Sequence, residues 1–242
     1  VIGGGEGTVT LLLATFTVGI GLGSLLCEKL SGGHIEIGLE PSRFAQGDRP
    51  PPAGTLPLFT LAYGLAGFGY IVTATFLPVI ARQALPGSVW LDLFWPLFGA
   101  GVAVGALVTV RLSMHLDRRH LLVGCYAMQA AGVLLSVWWP TRLGFAAGSL
   151  LLGLPFTAIT LFAMQEARRL RPHGAAALIG LLTAAYGLGQ IAGPPMVAWL
   201  LGRAGSPAAG FALSLQTAAA ALVLGALIYG LLARRDPVAR AG

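Results

Sequence analysis

The chain has 242 residues, of which 56% are hydrophobic and only 10% charged, and its mean hydropathy is +0.80. A soluble domain carries about 25% charged residues, so this chain lacks the polar surface to cover a water-facing globule, and a lipid bilayer is the solvent that suits it. The net charge of +6 does not point to nucleic acid, because the arginines sit in short clusters between apolar runs, with no exposed aromatics interleaved as strand binding requires.

The first apolar run, residues 8–27, ends at Glu28 and Lys29. It is too long for a signal-peptide core and lacks a basic start and a small-residue cleavage site, so residues 1–27 are read as a leader transmembrane helix. Residues 28–55 follow as a cytoplasmic loop or linker, with Ser31-Gly32-Gly33, Arg43, Arg49 and Pro50-Pro51-Pro52, a composition that cannot continue a helix. Six further spans are predicted at residues 56–81, 89–110, 121–139, 143–164, 175–201 and 208–233, each near or above the length that crosses the hydrocarbon. The domain reading is a helical unit at 56–233 and a cytoplasmic tail at 234–242. Unbroken apolar runs of this length exclude the short alternating strands of a membrane barrel. The expected fold class is therefore all-α, a polytopic membrane helix bundle of about seven transmembrane helices.

Orientation follows from the basic residues. Lys29, Arg43, Arg49, Arg111, Arg118, Arg119, Arg168, Arg169, Arg171, Arg234, Arg235 and Arg240 fall on one side, and only Arg82, Arg142 and Arg203 on the other, which is 12 of the 15 basic residues against 3. The bias predicts the N-terminus outside and the C-terminus in the cytoplasm. Gly19/Gly23, Gly101/Gly105 and Gly189/Gly193 are spaced four apart inside predicted spans. Small residues at that spacing share a helix face and let backbones approach closely.

From about Leu56 to Pro237 the chain resembles the C-terminal six-helix half of a major facilitator transporter of the YbfB/YjiJ type. The resemblance is carried by Ala62-Tyr-Gly-Leu-Ala-Gly-Phe-Gly-Tyr70 with its continuation to Pro78, by Ala81-Arg82-Gln83 and by Trp95-Pro-Leu-Phe-Gly99. Gln165-Glu-Ala-Arg-Arg169 and Thr183-Ala-Ala-Tyr-Gly-Leu-Gly-Gln190 continue it in order. Residues 8–39, with Gly21-Leu-Gly-Ser-Leu-Leu-Cys-Glu-Lys-Leu-Ser-Gly-Gly33 and Ile35-Glu-Ile-Gly38, are similar instead to a helix and loop of lysophospholipid-transporter-like facilitators. The resemblance implies a half-fold plus one leader helix in the inner (plasma) membrane of a bacterium. It also implies transport of a small organic solute by alternating access, with the solute held between two halves near the midplane. A second transporter half or a homodimer is then the expected partner, and a truncated or hybrid membrane module that does not transport alone is the alternative.

Polar groups inside spans are costly and tend to face a cavity or another helix. In the family's architecture the first, second, fourth and fifth helices of a half line the cavity, so Tyr70, Thr73, Tyr186 and Gln190 are the expected solute contacts. Tyr186 and Gln190 lie one turn apart on one face. Thr73, Thr75, Thr157 and Thr160 can equally bond their own helix backbone, and Gln129 is expected on a peripheral helix as a bridge between helices. Gly180, Gly189 and Gly193-Pro194 are similar to the glycine–proline motif of facilitator antiporters, with Val197-Ala198 where its closing glycine pair would stand. Glycines thin a helix face and a proline removes a backbone hydrogen bond, so these residues are the expected gating hinge. The loop 111–120 is a degenerate form of the loop motif that follows the second helix of each facilitator half. Asp117, Arg118 and Arg119 there, with Glu166 and Arg169, are the expected cytoplasmic latch. No charged residue lies at the centre of a predicted span, and Asp92 and Glu166 fall near helix ends.

His34, His115, His120 and His173 lie in predicted loops and have no metal-ligand spacing with one another, with Cys27 or Cys125, or with a carboxylate. No nucleophile elbow or phosphate loop is present. No catalytic residue, metal or cofactor is expected, and the chain does not read as an enzyme.

Overall fold

The computed structural model describes residues 51–84, 94–112 and 117–235. The leader, most of the linker, Asp92, His34, His115 and the end of the tail, and with them the readings made there, lie outside the described residues. Among the described residues seven α-helices follow in order: α1 (Thr55–Ala84), α2 (Phe94–Leu112), α3 (Arg118–Trp138), α4 (Arg142–Gly153), α5 (Phe156–Leu170), α6 (Ala175–Arg203) and α7 (Pro207–Arg235), with one 3-10 turn, Pro172–Gly174, before α6.

The boundaries have local causes. Ahead of α1 a tight turn closes with Thr55 N–H donating to the Pro52 carbonyl at 3.1 Å, and Gly54 takes the left-handed φ of 86° that a side chain would resist. Asp117 caps α3 by accepting from the Arg119 N–H at 2.9 Å, and Thr141 caps α4 by accepting from the Gly144 N–H at 3.2 Å. Ser206 accepts from the Ala209 N–H at 3.2 Å, with Pro207 preset at the first position of α7.

Among the described residues five stretches are long and apolar enough to cross a membrane, namely Thr55–Arg82, Arg118–Trp138, Arg142–Leu170, Ala175–Arg203 and Pro207–Arg235. The apolar part of α2, Trp95–Thr109, is shorter. The span expected at 143–164 is found as two rods, α4 and α5, parted at Leu154-Pro155. Pro155 has no N–H to continue the ladder, and its ring crowds the carbonyl one turn before it. Hydropathy runs on across the break, so an apolar-run reading joins the two pieces.

The bundle is built on α1, which packs along α6 and α7, while α3 packs on α7 and α4, and α2 on α4. Its deepest part is aromatic. Tyr126 of α3 donates its hydroxyl to the Ala62 carbonyl of α1 at 2.8 Å, and its ring stands edge-on to Tyr229 of α7 at 5.2 Å. Phe59 completes the group, 5.7 Å from Tyr229. A buried hydroxyl that finds a carbonyl on another helix avoids the cost of an unmet donor.

Elsewhere the helices touch backbone to backbone. A Cβ on Gly67 of α1 would strike the Tyr186 carbonyl of α6, and one on Gly189 would strike the Gly64 carbonyl. Across α2 and α4, a Cβ on Gly101 would come within 2.9 Å of the Leu150 carbonyl, and one on Gly105 would strike that of Leu154. The glycine spacings read from the sequence in these helices thus lie at helix crossings, as van der Waals association in lipid favours. Gly67→Ala is therefore expected to destabilise the detergent-solubilised protein by about 1–3 kcal/mol, read as a lowered melting temperature. Gly124→Ala, where a Cβ meets nothing within 4 Å, is expected to hold or raise it.

Candidate functional site

One face of α1 carries Tyr63 and Tyr70, seven residues and so nearly two turns apart. Opposite them α5 presents Phe156 and Thr160, neighbours one turn apart. The Tyr63 hydroxyl donates to Thr160 Oγ1 at 3.5 Å, the long end of such a bond, and the Tyr70 ring lies 4.9 Å from that of Phe156. The seam continues in both directions. Tyr186 of α6 packs against Tyr63 at 5.2 Å, while Phe98 of α2 lies 5.6 Å from Phe156 and Trp95 lies 5.8 Å from Phe98. Rings on four helices thus form an aromatic ladder in two runs, Tyr186–Tyr63 and Tyr70–Phe156–Phe98–Trp95, linked through the Tyr63–Thr160 bond, with hydroxyls from Tyr63, Tyr70, Thr160 and Tyr186 along it.

Behind Tyr70 the helices leave a hollow of about 320 Å3 of empty space, counted out to its open mouth. Tyr70, Thr73, Trp95, Phe98 and Gln129 are among the residues that line it. The structure thus divides the four expected contacts. Tyr70 and Thr73 share the hollow. Tyr186 stands two helical turns along the ladder, beside Tyr63, with Gln190 half-buried one turn beyond it on α6. The Thr73 hydroxyl donates to the Gly69 carbonyl of its own helix at 2.7 Å, leaving only its oxygen to a ligand. Gln129, expected as a bridge between helices, donates from Nε2 to the Leu152 carbonyl of α4 at 3.4 Å and also lines the hollow. Tyr63, Phe98, Trp95 and Phe156 escaped the sequence reading as site residues. The seven-residue spacing of Tyr63 and Tyr70 was the available signal, but which helix faces them is not written in α1.

The expected hinge residues have three different surroundings. Gly180 meets nothing within 4 Å, whereas Gly189 and Gly193 are occupied in packing on α1 against Gly64, Phe68, Ile71 and Val72. Pro194 sits with Pro195 inside α6, which runs unbroken from Ala175 to Arg203. Neither proline has an N–H, so the carbonyls of Gln190 and Ile191 lose their intrahelical donors.

The five expected latch residues lie together where the start of α3 meets the ends of α5 and α7. Arg119 and Glu166 are each only 2% exposed. Arg119 pairs with Asp117 at 2.9 Å and with Glu166 at 3.7 Å, and its Nη1 donates to the Leu232 carbonyl in the last turn of α7 at 3.1 Å. Arg169 forks onto Glu166, with its closest contact at 2.7 Å, and Arg118 donates to Gln165 Oε1 at 3.0 Å. A cation at the start of α3 opposes that helix's dipole but suits the carbonyl end of α7. Glu166, expected near a helix end, is near the end of α5 yet fully enclosed between two arginines. Partial burial pushes the Asp117 carboxyl up, but hydrogen bonds from the side chain and backbone of Arg119 outweigh it and hold it below its ordinary value of 3.8.

The family described as "Uncharacterised MFS-type transporter YbfB" matches residues 39–230. The chain is also similar to a protein of Streptomyces lividans named "Chloramphenicol resistance protein", 34% identical over 161 residues, which are 61% of this chain and 38% of that protein. The chain therefore spans well under half the length of that relative. No solved structure matches.

Two outcomes are expected at the charged cluster. Glu166→Gln leaves Arg119 and Arg169 facing each other with no anion between them, and should cost about 3 kcal/mol of stability in denaturant melts. Because the folded carboxyl of Asp117 is held low, its contribution is complete above the ordinary aspartate value and is lost as pH falls through the lower folded one. Acid melts should therefore show a loss of stability below about pH 4 that is smaller in Asp117→Asn.

Proposed function

The chain belongs to the YbfB-type family of major facilitator transporters, integral membrane proteins, and from that premise we propose that it carries a small organic solute across the membrane as one half of a complete carrier. The single observation that carries this reading is the aromatic ladder on α1, α2, α5 and α6, with hydroxyls on α1, α5 and α6; these are the helices that line the solute path in the family's architecture. Tyr70, Thr73, Tyr186 and Gln190 are the solute contacts on this reading. Gly180, Gly189, Gly193 and Pro194 form the hinge, and Asp117, Arg118, Arg119, Glu166 and Arg169 form the latch. The arginine bias supports an N-out, C-in orientation in the plasma membrane of a bacterium, with residues 1–27 as a leader span, 28–55 as linker and 234–242 as tail.

The name of the Streptomyces lividans relative makes chloramphenicol, an uncharged aromatic amide, the first solute to test. Alternating access needs a second half facing this one, whether a second copy or another six-helix half. A second reading has its own support in the likeness of residues 8–39 to a different group of facilitators: a hybrid membrane module that packs against another protein and moves nothing alone.

The test is flux of radiolabelled chloramphenicol and related neutral aromatics into liposomes holding the purified chain, alone and with a candidate partner half. Saturable flux in either case supports the carrier. Its absence in both, with the protein folded and inserted, leaves the module reading. Where flux is seen, Tyr70→Ala is expected to raise the half-saturation concentration about 3- to 10-fold, the worth of one aromatic contact.

A further inference from the structure

The two ends of the bundle surround their arginines differently. α1, α3 and α6 run away from the Asp117–Arg119–Glu166 cluster, so Arg82, Arg203 and the α3–α4 turn with Arg142 stand at the opposite end. All three of these arginines are exposed. Among the described residues the only carboxylates are Asp117 and Glu166, both in the cluster. The cations of the far end therefore meet no carboxylate of the described chain.

Two of them stand beside tryptophans that the protein leaves uncovered. Arg203 Cζ lies over the Trp199 ring, 4.1 Å from its centroid, and Trp199 is 55% exposed. Leu181 and Leu188, also exposed, precede Trp199 on the same face by five and about three turns. Tyr186 lies about 220° round the helix from Trp199, so this stripe looks away from the aromatic ladder and toward lipid. On α3, Trp138 is 71% exposed and ends a side that also shows Ala127, Met128 and Ala131. Trp139 and Leu143, on either side of the turn that carries Arg142, are exposed as well. An indole at a helix end beside a cation suits the boundary of a bilayer, where the ring meets the glycerol level and the charge reaches the headgroups.

We propose that these two corners, Trp199 with Arg203 and Trp138–Trp139 with Arg142, hold the phosphates of membrane phospholipids and prefer anionic phosphatidylglycerol to zwitterionic phosphatidylcholine. A guanidinium offers a planar fork of donors that matches phosphate oxygens. Holding it over an indole adds a cation–π attraction and restrains a long side chain before the lipid arrives. Phosphatidylcholine carries its own cation beside the phosphate, which offsets part of that attraction, and phosphatidylglycerol does not. The arginines of the other end have no tryptophan beside them among the described residues. The inference asks nothing of the solute path and holds whether or not the chain transports.

The test uses the full chain in phosphatidylcholine nanodiscs and reads quenching of its tryptophan fluorescence. A minor share of the lipid is replaced by phosphatidylglycerol or phosphatidylcholine brominated high on the acyl chain, near the headgroup. Brominated phosphatidylglycerol is expected to reach half-maximal quenching at about fivefold lower content than brominated phosphatidylcholine, the effect of one arginine at a charged lipid surface. Arg142→Gln with Arg203→Gln should reduce that preference below about twofold, while Arg234→Gln with Arg235→Gln, at the other end, should leave it unchanged. Arg203→Lys, which keeps the charge and loses the planar fork, should fall between wild type and the double glutamine variant. It also serves in place of Arg203→Gln if the double variant fails to fold by circular dichroism. Equal quenching by the two lipids in the wild type, or an undiminished preference in the folded Arg142/Arg203 variant, would overturn the proposal. So would relief of the quenching by soluble glycerol phosphate, which would mark a site for free phosphate instead of lipid.

Discussion

Everything in this bundle depends on how closely its helices approach. Lipid tails are as apolar as leucine, so burial offers little to drive one helix onto another, and contact has to come from fitted van der Waals surfaces and occasional hydrogen bonds. Gly64, Gly67 and Gly189 bring α1 and α6 together at the backbone, and Gly101, Gly105 and Gly153 do the same for α2 and α4. Those two crossings fix where the rings of Tyr63, Tyr70, Phe98 and Tyr186 stand. A wider crossing would carry Tyr186 away from Tyr63 and open the ladder. The aromatic core of Phe59, Tyr126 and Tyr229 sits on the other side of α1 and holds α3 and α7 to it. The central helix is thus gripped on two faces by different means, small residues on one and interlocked rings on the other.

The arginines carry two burdens at once. Their uneven distribution is a topological signal readable by counting. At the meeting of α3, α5 and α7, however, Arg119 is enclosed and answers three acceptors on three different elements: Asp117, Glu166 and the Leu232 carbonyl. A charge so enclosed is sustained only by such partners. The cluster therefore ties three helix ends into one unit, and a change at any member is felt by all.

The order of the described helices was legible in the sequence because apolar length and basic punctuation are one-dimensional signals, although of the six spans expected there five have the length to cross and the apolar part of α2 is shorter. Glycine pairs likewise announced close crossings. Much of the site was not legible in this way. Pro155 stands within an apolar run, and hydropathy does not register a missing N–H. Gln129 read as a bridge between helices and does join α3 to α4, but the hollow it also lines is made by five helices whose arrangement no single one encodes. Glu166 lies near a helix end by count, but whether an end is wet depends on neighbours, and here two arginines close over it. Thr73 illustrates the converse: its hydroxyl turned to its own backbone, as local bonding in helices predicts.

The break at Leu154-Pro155 gives α5 a separate mechanical existence. Its partner rod α4 is fixed by glycine contacts to α2 and α3, and the carbonyl of Leu152, freed by the end of the helix, is taken by Gln129. By contrast α5, a rod about 22 Å long, has the enclosed Glu166 near one end and Phe156, against the Tyr70 ring, at the other. An unbroken span would have to drag its whole length to convey a disturbance from the charged end. With a joint, α5 can follow a tilt at the arginines by turning about Leu154-Pro155, and Phe156, the residue beside that pivot, moves least and keeps its place against the Tyr70 ring.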